Sequence, residues 1–386
     1  MTIYLDHAAS TPVDPAVAAA MAEALAAPGL QANPASNHGP GRAARERVEA
    51  ARADVAALIG AHAAEITWTS GATESNNLAI IGAAQFRASR GRHLVTSATE
   101  HVSVLASCRH LEQLGFRVTY LMPDPQGIID PARVAAALHP ETTLVSLMQV
   151  NNETGVIQDV AAIGALCRAR SVLLHVDAVQ AAGREPIDVA AQCVDLLSLS
   201  AHKMHGPKGA GALFINGETL RRVEPLLHGG AQERGLRPGT VATHQAVGMG
   251  TAARLARQQQ VGERLRQIAL REALWTEVRK VPGVLLNGHP TRRACHILNV
   301  SIPGVEGESL LLALEGLAVS SGSACASDSD EPSAVLRHLG RSDALAQSSI
   351  RFSIGRDTTP AQIAAAAAAF SAGVAHLRRL SPAAFA

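Results

Sequence analysis

The chain has 386 residues, of which 47% are hydrophobic, and its 34 basic and 33 acidic side chains leave a net charge of +1. This balance argues against a nucleic-acid partner and against binding to an anionic membrane. Aromatic residues make up only 3% of the chain, so stacking platforms for nucleic-acid bases are not expected either.

The five cysteines are scattered along the sequence without a CxxC pair, and their number is odd. A disulfide framework is therefore not expected, whereas a reducing compartment is. The first residues lack the basic and apolar regions of a signal peptide, and we expect no apolar run long enough to span a bilayer. These features predict a cytoplasmic protein without a membrane partner.

Helical and strand patterns alternate through the first two thirds of the chain. Asp14 and Pro15 supply the N-cap and the first position of a helix that ends near residue 27, and a second helix is predicted at 41–59. Short apolar runs predict strands at residues 65–69, 93–97, 118–122, 143–150, 172–176 and 196–199. Helices are predicted between them at residues 102–114, 131–138 and 160–170. Strands connected by helices favour an α/β fold with a mostly parallel sheet.

The last third of the chain no longer shows the regular alternation of strands and helices. Residues 242–280 read as one long, charged helical region with at most one break. Shorter elements follow, with strands predicted at residues 297–302, 317–321 and 350–354 and helices at 309–314 and 360–380. We therefore predict a large domain at residues 15–255 and a small α/β domain formed by residues 1–14 and 256–386.

Polar or small residues follow five of the predicted strands directly. In parallel α/β sheets, the carboxyl ends of the strands meet at one edge, where ligands bind. The turn at residues 70–76 leads into a helix N-terminus, whose N–H groups suit a phosphate. The other strands are followed by TEH at 99–101, NNETG at 151–155, DAVQ at 177–180 and SAHK at 200–203. Their convergence predicts a binding site at this edge.

A phosphate turn, an aspartate and a lysine at one edge predict pyridoxal phosphate. This cofactor needs a lysine for its Schiff base, an anion site for its phosphate and a carboxylate that keeps its ring nitrogen protonated. Lys203 and Asp177 supply these side chains, and Ser200 and His202 flank the lysine as phosphate ligands. Ordinary alternatives are a surface lysine for Lys203, a helix cap for Asp177 and a buried core histidine for His101.

The predicted small domain contains the segment SSGSACASDSDEPS at residues 320–333. Small and polar residues surround Cys325, which predicts an exposed loop and, because cysteines are usually buried, a reactive thiol. A chance surface thiol is the alternative. Downstream, Arg351 stands in a strand pattern, where its planar fork suits a substrate carboxylate. A salt-bridged surface arginine is the alternative at that position.

With these motifs, the chain resembles the cysteine desulfurases of the class V aminotransferase family, in the branch of the nitrogen-fixation and housekeeping iron–sulfur enzymes. The matching motifs run through nearly the whole chain in the family's order: YLDHAASTP from Tyr4, SGATESNN from Ser70, TEH from Thr99, NNETG from Asn151, DAVQ from Asp177, SAHKMHGPKGAGAL from Ser200, GGAQERGLRPGT from Gly229, SSGSACAS from Ser320 and SSIRFSIGR from Ser348. The resemblance implies a pyridoxal-phosphate-dependent transferase of fold type I, with a seven-stranded sheet in the large domain. A small departure is LFI at residues 213–215, in place of a strand that more usually contains tyrosine.

The resemblance also implies a role for each matching residue. Lys203 would form the Schiff base, while Asp177 and Gln180 would bind the ring nitrogen and the phenolic oxygen. His101 would stack on the ring and act in acid–base steps. The other implied contacts are the phosphate ligands Ala72, Thr73, Ser200 and His202, Asn151 near the phenolic oxygen and the substrate, Arg351 on the substrate carboxylate, and Thr240 on the phosphate of the partner subunit in a homodimer.

The implied reaction removes sulfur from L-cysteine. Cys325 would attack the substrate sulfur, which leaves L-alanine and a persulfide on Cys325. A free thiol has a pKa of about 8.5, so a nearby base such as His101 would help to form the thiolate. The persulfide would pass to an iron–sulfur scaffold protein or another sulfur acceptor, and Cys325 would touch a metal only transiently, through a cluster being assembled there.

Two other functions are compatible with parts of this pattern. A selenocysteine lyase, or another pyridoxal-phosphate-dependent enzyme of class V, would share the cofactor motifs. A thiol or metal carrier without a cofactor would use Cys325 and histidines, but it would leave Lys203 and Asp177 unexplained.

Overall fold

The structure, a computed structural model, describes residues 2–219, 222–321 and 331–380. Its strands are, in chain order, β1 (Ile3–Tyr4), β2 (Ile66–Thr69), β3 (His93–Ser97), β4 (Arg117–Leu121), β5 (Thr142–Met148), β6 (Leu173–Asp177), β7 (Leu196–Ser200), β8 (Gly211–Ile215), β9 (Leu285–Leu286), β10 (Ile297–Ser301), β11 (Leu317–Ala318), β12 (Ser320–Ser321) and β13 (Ser349–Ser353). Its helices are α1 (Pro15–Ala26), α2 (Gly39–Leu58), α3 (Ala72–Asn77), α4 (Ala83–Phe86), α5 (Val102–Gln113), α6 (Pro131–Ala137), α7 (Val160–Ala169), α8 (Thr243–Val278), α9 (Gly307–Ala313), α10 (Ala334–His338), α11 (Asp343–Gln347) and α12 (Pro360–Leu380).

The largest sheet contains seven strands in the order β2-β8-β7-β6-β5-β3-β4. β8 runs antiparallel to both of its neighbours, and the remaining neighbouring pairs are parallel. All of these strands except the edge strand β4 are buried along their whole length, as expected for a sheet covered on both faces. The predicted α/β class with a mostly parallel seven-stranded sheet is confirmed.

The first helix begins at the predicted residue, Pro15, and the second begins at Gly39, two residues before its predicted start. The Asp14 carboxylate accepts a hydrogen bond from the backbone N–H of Ala16 at 2.8 Å, and Pro15 occupies the first helical position. α2 directs Val48 and Val55 into the core of the large sheet. Both helices therefore follow from local capping and from the spacing of their apolar residues.

A second sheet, β12-β13-β10-β9, is antiparallel and belongs to a separate hydrophobic core. The N-terminal strand β1 pairs in parallel with β11, and Asp6 forms a bridge to Ser353 at the end of β13. These contacts direct the next residues of the N-terminal segment, 7–12, towards the carboxyl edge of the large sheet, where Thr11 donates a hydrogen bond to the carbonyl of His202 at 2.9 Å.

Helix α8 connects the two cores with 36 residues. Ala246 and Ala256 pack in the core of the large sheet, whereas Leu270 and Leu274 pack in the core of the small sheet. The long helical region predicted at residues 242–280 is therefore one helix. The predicted domain boundary at residue 255 falls inside this helix, and the division at residues 15–255 remains a prediction.

One helix in the described ranges, α12, is long and apolar enough to cross a membrane by its length and composition alone. This differs from the expectation that no apolar run reaches such a length. Its Ile363, Phe370 and Val374 are buried in the core of the small sheet, where Phe370 packs edge to face on Phe352 with ring centroids 5.8 Å apart. The apolar face of α12 is thus accounted for by packing against this core.

Candidate active site

The carboxyl ends of the parallel strands open into a cavity of about 530 Å³. Segments that follow β2, β3, β5, β6 and β7 line it together with the N-terminal segment and β13. The predicted site residues that line this cavity are Ala72, Thr73, His101, Asp177, Gln180, Ser200, His202, Lys203 and Arg351. The topology therefore brings together side chains that lie almost 280 residues apart in the sequence.

Lys203 ends a short 3₁₀ turn, Ala201–Lys203, directly after β7. Its Nζ donates hydrogen bonds to the carbonyls of Ala8 and Ala9, both at 2.7 Å. His202 lies beside it, and Nδ1 of His202 is 3.2 Å from the Ser10 hydroxyl. Burial, followed by the charges of two nearby lysines, lowers the pKa of His202 to about 4. A neutral His202 is able to donate a hydrogen bond to an anion from one ring nitrogen.

Asp177 ends β6 and is 6% exposed. Its Oδ2 accepts a hydrogen bond from Nδ2 of Asn76 at 2.9 Å, and its Oδ1 accepts one from the backbone N–H of Val179 at 3.1 Å. Two donors thus hold the carboxylate in place at the cavity wall. Asn76 is a residue that sequence reasoning did not assign to the site, although it lies in the SGATESNN motif.

The turn between β2 and α3 forms a concave wall of backbone. A Cβ added to Gly71 would meet no atom within 4 Å, whereas a Cβ on Gly211 of β8 would lie 2.5 Å from the Cα of Gly71. The side chain of Glu74 accepts a hydrogen bond from the backbone N–H of Ser70 at 2.8 Å and pairs with Arg237 at 3.0 Å. Burial opposes ionisation of Glu74, but these partners outweigh it and lower its pKa. Glu74 therefore links the turn at Ser70 to Arg237.

These features fit pyridoxal phosphate. The start of α3 presents N–H groups next to an open backbone cradle, and Thr73, Ser200 and His202 add polar side chains to the same wall. Asp177 supplies an oriented carboxylate, and Lys203 supplies the amine. The donor set thus matches the three needs of this cofactor, which are an anion site, a carboxylate and a lysine.

Gln180 is fixed by two partners on opposite sides. Its Nε2 donates to the carbonyl of Ala8 at 2.8 Å, and its Oε1 lies 3.2 Å from Nε2 of His296. His296 directly precedes β10 of the small sheet and is fully buried. Burial, reinforced by the charge of Arg184, lowers its pKa well below the usual value. His296 is neutral as a result, and it carries the hydrogen of this contact because the amide oxygen only accepts.

Comparisons with known proteins agree with this geometry. Residues 3–365 match the family described as aminotransferase class-V. The chain belongs to this family. It is 53% identical over 383 residues to a protein of Shewanella halifaxensis named cysteine desulfurase IscS, covering 99% of this chain and 95% of the relative. It is 54% identical, with the same coverage, to a protein of the same name from Aeromonas hydrophila.

Solved structures show the same relationship. A structure named NifS-like protein superposes with a TM-score of 0.91 at 32% identity, covering 98% of this chain and 100% of that one. Another, titled SspA in complex with cysteine, superposes with a TM-score of 0.81 at 35% identity, covering 92% of this chain and 99% of that one. Class V aminotransferases use pyridoxal phosphate, so both the resemblance stated from the sequence and the predicted cofactor are confirmed.

Arg351 lies on β13 and reaches the cavity from the small sheet, with 2% of its surface exposed. Its two terminal nitrogens donate to the carbonyl of Asn152 at 2.9 Å, to the carboxylate of Asp6 at 2.8 Å and to the hydroxyl of Ser320 at 3.2 Å. Its Nε is buried and has no hydrogen-bond partner within the described residues. A guanidinium that lines the cavity suits a ligand carboxylate. The partner Asp6 was not foreseen from the sequence.

Two predicted site residues, Asn151 and Thr240, are not part of this cavity wall. The side chain of Asn151 is buried in its own turn, where Oδ1 accepts hydrogen bonds from the backbone of Glu153 and Thr154. Thr240 is exposed and lines a separate, smaller pocket that it shares with Ser70 on the far side of the phosphate turn. Cys325 lies outside the described residues.

Proposed function

We propose that this chain is a pyridoxal-phosphate-dependent cysteine desulfurase. It takes the sulfur of L-cysteine, releases L-alanine and carries the sulfur as a persulfide on Cys325. The observation that carries the proposal is the convergence of Lys203, Asp177 and the phosphate turn in one cavity, with Arg351 placed to receive an amino-acid carboxylate. Relatives named cysteine desulfurase that share half of the sequence over nearly its whole length support the choice of substrate.

Residues at the carboxyl ends of β2, β6 and β7 would hold the cofactor. Its phosphate would be bound at Ala72, Thr73, Ser200 and His202. Asp177 would pair with the ring nitrogen, Gln180 would contact the phenolic oxygen, and Lys203 would provide the covalent link. Bound pyridoxal phosphate supplies an electron sink for the negative charge that develops on the α-carbon of an amino acid.

Lys203 would move the α-proton of the substrate. The carbonyls of Ala8 and Ala9 accept hydrogen bonds from its amine, and these contacts keep Nζ at the cavity wall. Arg351 would orient the substrate through its carboxylate, so that the α-carbon faces the lysine. A substrate carboxylate would compete with Asp6 for a terminal nitrogen of Arg351.

The other cysteines support Cys325 as the nucleophile. Cys108, Cys167 and Cys295 are buried, and burial raises the pKa of each of these thiols to about 12. Thiols in such surroundings are poor nucleophiles at neutral pH, because only the thiolate attacks sulfur. Cys193 is partly exposed, but it follows the loop at residues 188–192 and does not line the cavity. Cys325 remains, in a segment rich in serine and alanine.

We propose a homodimer and a separate sulfur acceptor. The exposed position of Thr240, next to the outer side of the phosphate turn, supports contact with the phosphate of a second copy. The acceptor would be an iron–sulfur scaffold protein or another sulfur carrier, with any metal contact of Cys325 only transient. We place this chemistry in the cytoplasm because the scattered, odd-numbered cysteines favour a reducing compartment. The net charge of only +1 argues against a nucleic-acid or membrane partner.

Alanine formed from L-cysteine under reducing conditions tests the activity. The wild type should form alanine and sulfide with turnover. Lys203→Ala should lose both, and Cys325→Ala should form no protein persulfide and no sulfide through turnover. Cys193→Ala removes a thiol outside the cavity and serves as the matched control, with activity equal to that of the wild type. Sulfide release by Cys325→Ala at the wild-type rate would mean elimination without this thiol and would refute the persulfide route.

The quaternary structure and the acceptor are tested separately. Light scattering of the holoenzyme should give twice the mass of 40.1 kDa. Thr240→Ala should weaken cofactor binding without changing that mass. A chain mass in solution equal to one copy, at micromolar concentration and with full activity, would refute the shared site. Transfer of radiolabelled persulfide sulfur to a purified iron–sulfur scaffold tests the acceptor.

A further inference from the structure

Gln180 lines the cavity from the segment that follows β6, and its contacts fix the orientation of its amide group. Its Nε2 donates to the carbonyl of Ala8 at 2.8 Å, and the same carbonyl accepts a hydrogen bond from Lys203 at 2.7 Å. A carbonyl oxygen only accepts, so the amide nitrogen of Gln180 must face Ala8. The amide oxygen then faces the opposite partner, His296, whose Nε2 lies 3.2 Å away.

His296 supplies the hydrogen of this second contact. Its ring is fully buried, and the groups near it oppose a positive charge on it: Arg184, Arg271, Arg351 and His7. A neutral imidazole carries one hydrogen, and an amide oxygen has none to give, so the hydrogen lies on Nε2. The other ring nitrogen, Nδ1, lies 3.9 Å from Sγ of Cys295, whose neutral thiol is able to donate to it. Both ring nitrogens are thus matched by their neighbours.

The backbone of the small sheet holds His296 in this position. His296 directly precedes β10, and its carbonyl accepts a hydrogen bond from the backbone N–H of Ile354, the residue after β13, at 2.8 Å. β10 itself pairs with β13, the strand that carries Arg351. The small sheet therefore reaches the cavity at two places, directly through Arg351 and through His296 by way of Gln180.

These contacts decide what Gln180 offers to the cavity. Ala8 uses one hydrogen of its amide and His296 faces its oxygen, so the second hydrogen on Nε2 is the donor that remains. Without the donor of His296, a buried amide oxygen would lose its partner, which is costly, and the side chain would turn to satisfy it elsewhere. Its rotatable bonds would then have to be ordered again when a ligand binds.

We propose that His296 is a positioning residue that holds Gln180 as a hydrogen-bond donor to the phenolic oxygen of pyridoxal phosphate. A donor at this oxygen favours its ionised form. The small sheet thereby helps to order the cofactor site, although His296 itself does not line the cavity. The inference rests on the proposed contact between Gln180 and the phenolic oxygen.

Cofactor affinity measures this effect without any turnover. Cofactor-free protein is titrated with pyridoxal phosphate, and visible absorbance gives the dissociation constant. His296→Leu has no donor and should raise this constant by about two- to tenfold. The absorption spectrum of the bound cofactor should also differ from that of the wild type, because the phenolic oxygen belongs to the absorbing ring system. His296→Gln places an amide nitrogen near the position of Nε2 and should restore both the constant and the spectrum.

A double variant separates positioning through Gln180 from a merely structural role. Gln180→Ala should weaken cofactor binding, and His296→Leu added to it should weaken binding no further. Cys295→Ala is the matched control, because it removes the neighbour of Nδ1 and leaves the Nε2 contact in place. Its affinity and spectrum should equal those of the wild type. Urea unfolding of each cofactor-free variant checks that it is folded, and His296→Met, with a more adaptable side chain, takes the place of a leucine variant that does not fold.

Three results would overturn the inference. The first is a folded apolar variant of His296 with the affinity and spectrum of the wild type. The second is an equal loss of affinity from His296→Leu with and without Gln180→Ala. The third is normal cofactor affinity of Gln180→Ala, which would also refute the contact with the phenolic oxygen. A wild type that forms no alanine from L-cysteine would refute the proposed activity and leave these binding measurements unaffected.

Discussion

A buried ion pair anchors the segment that contains Arg237 and Thr240 to the large sheet. Arg52 on α2 donates to the Glu233 carboxylate at 2.7 and 2.8 Å, and the backbone N–H of Trp68 donates to the same carboxylate at 2.8 Å. The side chains of Arg52 and Glu233 are only 6% and 4% exposed. Glu233 and Arg234 have φ values of 46° and 59°, a strained conformation that this anchor helps to retain.

The substitution Glu233→Gln should destabilise the protein by up to about 3–5 kcal/mol, because it leaves the buried guanidinium with only the half-exposed Glu49 as counter-charge. Burial opposes the charge of Arg52, but the carboxylates of Glu233 and Glu49 outweigh it and raise the pKa of the guanidinium. Arg52 stays ionised without Glu233 because a guanidinium keeps its proton in proteins. Glutamine keeps an acceptor for the N–H of Trp68, so the loss reports mainly on charge. Arg47 and Glu23 form a matched pair that is 51% and 57% exposed. Glu23→Gln should cost at most about 1 kcal/mol.

Urea unfolding of both variants, with saturating cofactor, measures how much each substitution lowers the free energy of unfolding. The double variant Arg52→Met/Glu233→Gln removes both charges and should be more stable than Glu233→Gln alone. A cost for Glu233→Gln within 1 kcal/mol of that for Glu23→Gln would show that water or local rearrangement solvates Arg52. The argument from burial would then be wrong.

Three further predictions concern the cofactor site beside Gly71, the buried His175 on β6 and the binding of the substrate carboxylate by Arg351. Gly211→Ala should lower cofactor affinity, measured by visible absorbance during dialysis, because its Cβ would lie 2.5 Å from the Cα of Gly71; Gly217→Ala, whose Cβ has 3.5 Å of clearance, should bind normally. Burial lowers the pKa of His175 from 6.5 to about 4. Between these pH values, His175 is protonated in the unfolded chain and neutral in the folded chain. Stability should therefore fall by up to about 3 kcal/mol as the pH falls from 6.5 to 4, and His175→Gln should flatten this dependence in urea titrations; equal slopes would contradict it. Arg351→Lys keeps the charge but loses the planar fork, and should raise KM for L-cysteine about tenfold or more; an unchanged KM would exclude Arg351 from carboxylate binding.

Much of the site was predictable because the fold is parallel. Once strands alternate with helices, the residues after each strand must meet at one edge, and Asp177 and Lys203 follow from that rule alone. The strand β8 was missing from the strands predicted by pattern. It begins at a glycine, and its antiparallel pairing with β2 and β7 is decided by the sheet and not by local sequence.

Asn151 follows a strand in its motif and was expected near the cofactor and the substrate, but it does not line the cavity. Its side chain turns back to cap its own loop, a use of asparagine that competes with any ligand. The long helical region expected at residues 242–280 is a single helix that packs on two different cores.

The residues themselves carry the cofactor chemistry and the order of the elements, since caps, apolar spacing and polar residues at strand ends act over a few positions. Folding alone decides which distant groups touch. The carbonyls of Ala8 and Ala9 meet Lys203 across nearly 200 residues, and Asn76 joins Asp177 across 101. Hydrogen bonds and ion pairs depend on separations of about 3 Å, and such distances between remote segments exist only once both cores have packed.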